Sequence, residues 1–424
     1  MEVRLTNIKD VAGKPLELAI RDERFVAKES LASNASIIDG GGLTVIPGLV
    51  DLHTHLREPG REDSETVLSG SHAAVAGGFT AISAMPNTSP VADTAGVVEQ
   101  VFALGREHGL CDVFPIGAVT IGQRGEELAE LMAMNQSEAK VRIFSDDGHC
   151  VANPLVMRRA LEYVKAFDGV IAQHAQDPSL SSGGQMNEGI ISSKLGLKGW
   201  PAVAEESIIA RDVLLADHVN SKLHICHVST AGSVDIIRWA KARGIDVTAE
   251  VTPHHLLLTD ERATTYDPRY KVNPPLRSER DVHALREGLA DGTIDIIATD
   301  HAPHPQEAKE CEWNAAAFGM IGLETAFSAA YFAMVTSGMM DLKELVACMS
   351  SRPSLIARFV GHGSLEIGSF ANFALVNLES SWIVSDEHIF SKSRNTPFRG
   401  TSLPAQIERT FFKGREVFTR GNDE

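Results

Sequence analysis

The chain has 424 residues, 43% of them hydrophobic, and a formal net charge of −17. That much apolar chain excludes a disordered protein and predicts one large domain with a smaller companion. The acidic balance, without a basic stripe, excludes nucleic acid or an anionic membrane as partner; an anionic small substrate stays open, because a pocket's local field can oppose the net charge.

The first residues, MEVRLTNIKDVAGKPLELAI, carry charges every few positions and no apolar core of signal-peptide length, and no later segment is long and apolar enough to span a bilayer. Cys111, Cys150, Cys226, Cys311 and Cys348 are scattered, with no CxxC pair. A cytoplasmic protein is therefore expected.

Short β-rich runs open the chain (EVRLTNI, PLELAIRDERFVAK) and close it (NFALVNLE, SWIVSD, RTFFKGREVF), so both ends are expected to pair into one small sheet domain. Between them, apolar runs of strand length alternate with amphipathic, helix-length segments. In chain order the strand candidates are TVIPGLVDLHTH, FTAISAMPN, CDVFPIGAVT, VRIFSDDG, GVIAQHAQD, KLHICHVST, DVTAEVTPHH and DIIATDHAPH. Helical patterns such as PLVMRRALEYVKAF, SIIARDVLLADHV, SVDIIRWAKARG and DVHALREGLADG lie between them. Near-continuous apolar strands separated by helices indicate a parallel sheet covered on both faces, and eight such units predict an α/β fold of the (β/α)8 TIM-barrel type. The expected division is residues 1–46 and 358–424 for the small β-domain and 47–357 for the barrel.

Five of the eight candidates end in groups able to bind a metal: His53 and His55, Asp146 and Asp147, His174, His227, and Asp300. In a barrel the C-terminal strand ends share one rim, so residues far apart in sequence meet there. Alternation along a strand puts His53 and His55 on the same side, into the barrel mouth, with Thr54 turned away. Taken singly, His174 or His227 reads as an ordinary buried histidine; the ordered conjunction makes the metal site. His254 and His255 read as supporting or structural residues, His224 as packing, and His301 as pointing away from Asp300. Cys150 and Cys226 read as small buried hydrophobes.

Imidazole and carboxylate donors without thiolates suit Zn2+, with Mn2+ or Co2+ as substitutes, one or two ions per subunit. A water on such ions ionises at about pH 7, and Asp300 beside it can shuttle the proton. The implied chemistry is hydrolysis, or its reverse, at a carbonyl carbon.

In order, PGLVDLHTHLREPG, MPNTSP, SDDG, HVST, AEVTPHH, NPPLR and ATDHAPH resemble the dihydroorotases of the amidohydrolase superfamily, class I (long-chain) bacterial type, across essentially the whole chain. The resemblance implies a metal-dependent (β/α)8 barrel with a small β-sandwich built from both termini. It implies His53, His55, Asp147, His174, His227 and Asp300 as zinc ligands, with Asp147 bridging, Asp146 supporting it, and Asp300 as the acid/base. Arg57, Asn87 and Asn273 would hold the substrate's carboxylate and ring, beside His55; His304 would contact the substrate, and backbone at Phe318 and Gly319 would read the pyrimidine edge. Bidentate carboxylate binding suits the planar fork of Arg57, and the two amides both donate and accept. The segment from His304 to Gly319, polar and rich in small residues, is a candidate lid.

The implied reaction is the reversible closure of N-carbamoyl-L-aspartate to L-dihydroorotate in pyrimidine biosynthesis, with metal-bound hydroxide attacking in the hydrolytic direction. A homodimer, or a complex with aspartate transcarbamoylase, is expected. The alternatives are a hydantoinase or allantoinase on the same metal frame, and a dihydroorotase-like subunit that only supports the transcarbamoylase. Asn372 stands where relatives usually carry aspartate, with an effect expected to be confined to local packing, and the segment after SDDG departs from them as well.

Overall fold

Gly48 divides the first apolar run in two. A Cβ there would sit 2.2 Å from the Thr80 hydroxyl oxygen, so only glycine lets the chain pass so close to its neighbour. The strand expected from Thr44 to His55 is therefore two strands in two sheets, β5 (Thr44–Pro47) and β6 (Leu49–Thr54). The computed structural model describes residues 2–421.

Before Gly48 lie β1 (Glu2–Lys9), β2 (Pro15–Arg21), β3 (Arg24–Val26), β4 (Ser36–Asp39) and β5. After it the barrel strands are β6, β7 (Phe79–Ala84), β8 (Asp112–Pro115), β9 (Ile143–Phe144) and β10 (Val170–Gln173). A small parallel pair follows, β11 (Met186–Asn187) and β12 (Gly199–Trp200). The barrel then continues with β13 (Leu223–Ile225), β14 (Val247–Val251) and β15 (Ile296–Ile297).

All barrel pairings are parallel, as the βαβ pattern requires. Two single bridges close the ring, Gly117 to Phe144 and Thr54 to His301. The expected helices cover the outside, among them Pro154–Val164, Val203–Val219, Ala231–Ala242 and Glu279–Ala290. Val50, Leu52, Ala81, Ile143, Val170, Ala172, Cys226 and Ile296 fill the interior below the rim.

One irregularity bears on the site. Between Asp51 and Thr54, β6 advances three residues while its partner β7 advances two, from Ile82 to Ala84. This bulge changes the phase of the alternation. Leu52 joins the interior cluster, and His53, the next residue, also turns inward.

The chain returns in β16 (Phe373–Ile383), β17 (Ser402–Phe412) and β18 (Arg415–Thr419), joined to the N-terminal strands in one sheet of order β18-β17-β16-β5-β1-β2-β3, with β4 on β1. β3 stands four places from β16, about 19 Å in a flat sheet. Yet the rings of Phe25 and Phe373 lie 5.9 Å apart. The sheet therefore folds back on itself around Val3, Leu5, Ile20, Phe25, Val45, Phe373, Leu375 and Phe411, a sandwich-like core.

Asn372 does more than pack. It is 1% exposed; its Oδ1 accepts from the Lys413 backbone N–H (2.8 Å), and its Nδ2 meets His362 Nδ1 (3.2 Å). His362 Nε2 in turn reaches Asp112 of β8 (2.9 Å), so the amide links the terminal sheet to the barrel. Burial would raise the Asp112 carboxyl, but this bond and nearby Lys413 hold it below its ordinary value. Asn372→Ala is expected to cost about 1–3 kcal/mol, because His362 stays buried and the Lys413 N–H half-buried. The urea midpoint would fall with an unchanged slope, and an unchanged midpoint would refute the link.

Candidate active site

The barrel's rim collects the predicted ligands around one carboxylate. Asp147 lies three residues beyond the end of β9 and is 2% exposed. Its Oδ1 faces His174 Nδ1 (3.2 Å), His227 Nε2 (3.2 Å) and His53 Nε2 (3.3 Å), and its Oδ2 faces His55 Nε2 (3.3 Å). Asp300 closes the group, with Oδ1 3.0 Å from His55 Nε2 and 3.5 Å from His53 Nε2. His227 (φ 30°), Asp300 (φ 47°) and Arg57 (φ 64°) hold left-handed backbone, a costly conformation for residues with a Cβ that is typical of functional rims.

Burial alone would push these carboxyls up and these imidazoles down. At Asp147 the surrounding histidines prevail and hold the carboxyl well below its ordinary range. Asp300 is likewise held at about 2, against burial, by its bond to His55 and the other imidazoles. For His53, burial is outweighed by Asp147 and Glu250, and its pKa is well above the usual value. At His55 burial wins, with Arg57 adding to it, and the pKa is lowered.

The donor set fits a divalent metal. Ligand atoms of His53, His55 and Asp147 lie within 4.8 Å of one another, as do those of Asp147, His174 and His227, and Asp147 is common to both groups. His53 Nε2 is buried without a hydrogen-bond partner, the mark of a nitrogen reserved for something other than protein. Its other nitrogen, Nδ1, donates to Glu250 Oε1 (2.5 Å), so Nε2 is the nitrogen that would give up its proton to a metal. Cys226 also lies near His53 and Glu250, but burial pushes its thiol up, away from the thiolate a metal would need.

Glu250 did not stand out in the sequence, although a glutamate inside the apolar strand DVTAEV is itself a signal. It is 1% exposed and also bonds His224 Nε2 (3.0 Å) and the His227 backbone N–H (3.3 Å). His224, expected only to pack, thus orients Glu250. Glu250→Gln is expected to weaken divalent-metal affinity roughly 10–100-fold, as losses of such supporting carboxylates do. Competition with a chromogenic chelator reads this directly, and an unaltered affinity would refute the role.

Asp146 points elsewhere, accepting from the backbone N–H groups of Val119 (2.8 Å) and Thr120 (3.0 Å). His301 turns to Glu65 (3.2 Å). His255 bonds Thr252 and the Pro274 carbonyl, while His254 Nε2 is buried without a partner, and burial lowers its pKa to about 4.

The predicted substrate residues ring the same mouth. Asn87 Oδ1 lies 2.8 Å from His55 Nδ1. Arg57 is 5% exposed, and its Nε donates to the Pro303 carbonyl (3.1 Å). Among the described residues no carboxylate pairs with its guanidinium. His304 Nε2 donates to the Phe318 carbonyl (2.7 Å), and burial lowers its pKa to about 3. The Gly319 N–H donates to Lys271 O (3.0 Å), and its carbonyl accepts from Lys309 (3.0 Å) and Asn395 (3.2 Å). Three of the four polar backbone groups of Phe318 and Gly319 are thus already bonded within the protein. The segment expected as a lid is pinned by two buried ammonium groups: Lys271 donates to the carbonyls of Trp313 and Ala316 (both 2.7 Å), and Lys309 to that of Ala317 (2.8 Å). Asn395, from the chain between β16 and β17, also reaches this mouth, and nothing in its local sequence announces it.

A family profile described as dihydro-orotase-like matches residues 42–233. Over 97% of both chains, this sequence is 59% identical to a dihydroorotase of Streptomyces coelicolor. It is 63% identical to a dihydroorotase of Leifsonia xyli over 90% of this chain and 88% of that one. Among solved structures, an L-hydantoinase (dihydropyrimidinase) from Arthrobacter aurescens superposes with a TM-score of 0.86 at 25% identity, covering 99% of this chain and 97% of that one. A dihydropyrimidinase from Brevibacillus agri follows at TM-score 0.84 and 21% identity, over 99% and 95%. The hydantoinase likeness is one of shared architecture at low identity, whereas the dihydroorotase likeness runs through most of the residues of both chains, and by that measure the chain belongs to the dihydroorotase family.

Proposed function

We propose that this enzyme interconverts N-carbamoyl-L-aspartate and L-dihydroorotate, the ring-closing step of pyrimidine biosynthesis. The observation that carries this reading is Arg57, a buried guanidinium beside the ligand cluster that forms no direct ion pair with a carboxylate among the described residues. A buried charge of this kind is costly unless an anion completes it. The carboxylate common to both compounds is that anion; hydantoin has none.

The residues take these roles. His53, His55, Asp147, His174, His227 and Asp300 hold the metal, which we read as zinc from the imidazole and carboxylate donors. Bound there, it polarises the reacting carbonyl and lowers the pKa of water. Asp300, ionised at neutral pH, accepts the proton of the attacking water in the hydrolytic direction and returns it to the leaving ring nitrogen. In the biosynthetic direction it accepts a proton from the carbamoyl nitrogen as that nitrogen attacks the side-chain carboxyl, and returns it to the carboxyl oxygen whose bond to carbon breaks, so that one water leaves. Arg57 and Asn87 hold the carboxylate, Asn273 the ring, His304 contacts the substrate, and backbone at Phe318 and Gly319 meets the pyrimidine edge. The N–H of Phe318 is the group there left to meet it.

Among the described residues no helix is long and apolar enough to cross a membrane. We read the enzyme as cytoplasmic and as a homodimer, or as joined to aspartate transcarbamoylase; size exclusion of the two proteins, alone and mixed, distinguishes these. The activity is tested by ring opening of L-dihydroorotate with zinc-loaded protein, beside hydantoin and allantoin. Turnover of dihydroorotate alone is expected. Folded, metal-loaded protein that opens hydantoin and not dihydroorotate would overturn the reading in favour of a hydantoinase.

A further inference from the structure

Two amides flank the metal ligands, and the residues behind them present opposite ends. On one side, His55 turns Nε2 toward Asp147 and Asp300; with Nε2 as the metal-binding nitrogen of the proposed ligand set, its Nδ1 carries the hydrogen and donates to Asn87 Oδ1 (2.8 Å). Asn87 is thereby left to present its NH2 group. On the other side, His174 directs Nδ1 at Asp147 and places Nε2 2.6 Å from Gln176 Oε1. The same oxygen accepts from Asn273 Nδ2 (3.0 Å).

The orientation of the Gln176 amide follows from its far end. Gln176 Nε2 donates to Ser181 Oγ (2.9 Å), whose own hydrogen is given to the Asp177 carbonyl (2.8 Å). A carbonyl can only accept, so the hydroxyl oxygen is left as an acceptor and must face the amide nitrogen. The reversed amide would require His174 to carry its hydrogen on Nδ1, the nitrogen that the proposed ligand set gives to the metal. Asn273 Oδ1 is then left buried, with no hydrogen-bond partner among the described residues. A buried acceptor in that state is costly until a donor meets it.

We propose that Gln176 is a positioning residue that sets the hydrogen-bond polarity of this half of the site, keeping His174 Nδ1 as the metal-facing nitrogen and turning Asn273 to offer an acceptor to an N–H of the substrate. Arg57 and the Asn87 amide then form the donor side, suited to a carboxylate, and Asn273 Oδ1 the acceptor side, suited to a ring or carbamoyl N–H. The pocket so built admits a ligand with an anionic end and an N–H end in one orientation, which rests on the dihydroorotase reading above. The sequence signal is slight, a single amide two residues beyond a ligand in HAQD.

The test compares Gln176→Leu, Gln176→Glu and Ser181→Ala with the unaltered enzyme, reading zinc affinity by chelator competition and kcat and KM separately on L-dihydroorotate. Gln176→Leu is expected to bind zinc roughly 10–100-fold more weakly and, once saturated with zinc, to show a KM raised about tenfold with a smaller change in kcat. Gln176→Glu, which keeps an acceptor for both His174 and Asn273, should restore zinc affinity and most of the KM; Ser181→Ala should show a weaker form of the leucine effect. With Asn273→Ala, the Gln176→Leu change in KM should be non-additive, because both remove the same acceptor. A Gln176→Leu protein with unaltered zinc affinity and KM, or fully additive effects, would overturn the inference. Should Gln176→Leu fail to fold, Ser181→Ala and Gln176→Glu carry the same comparison. Zinc affinity is read without turnover, so unaltered enzyme inert on dihydroorotate counts against the dihydroorotase reading, while the zinc series still decides the role of Gln176.

Discussion

Asp300→Asn is expected to lower kcat for L-dihydroorotate by about 10²–10⁴-fold, the usual worth of a positioned general acid/base. The amide keeps an oxygen toward His55 and removes the group that takes up and releases the proton. Asp300 is 5% exposed and its carboxyl is held at about 2, so it is ionised across the neutral range and begins the hydrolytic cycle as an acceptor. Steady-state rates must be measured beside bound metal, since the same side chain belongs to the ligand cluster. Full metal content with a rate within threefold of the unaltered enzyme would remove Asp300 from the proton's path.

The second large effect has two halves of opposite sign. Arg57→Met is expected to raise KM by roughly 10²-fold or more, the loss of two charge-assisted hydrogen bonds to a carboxylate. The same change is expected to leave thermal stability unaltered or higher, because the guanidinium is buried, has no ion-pair partner among the described residues, and keeps only its bond to Pro303 O. Burial, with Arg61 adding to it, lowers the Arg57 pKa to about 10. Below that pH the buried charge is present in full, so the stability gain should be flat from pH 5 to 9. A variant that melts several degrees lower with an unchanged KM would show that Arg57 serves the fold and not the substrate.

Much of the architecture is written locally. Runs such as GVIAQHAQD and DIIATDHAPH are apolar for a strand's length and then turn polar, and a parallel barrel places all such ends on one rim. Composition and period therefore suffice for the eight barrel strands and for the neighbourhood of His53, Asp147, His174, His227 and Asp300. The first run was harder to read. TVIPGLVDLHTH is continuous in hydropathy, and its division at Gly48 arises from how closely the chain passes Thr80.

What only the tertiary structure decided is a matter of phase and of partners distant in sequence. Simple alternation would not place Leu52 and His53 both inside; the bulge against β7 does, and a bulge depends on the partner strand. Glu250 meets His53 from 197 residues away, and Asn395 meets Ala302 from 93. The polarity of Asn87 and Asn273 is equally remote from their own sequence, because an amide can face either way until its neighbours choose. The sequence by itself determined the class of fold and the kinds of ligand atom at its mouth, since those follow from hydrophobic period and residue chemistry. Which end of each amide and imidazole faces the substrate was decided by hydrogen bonds that exist only once the barrel has closed.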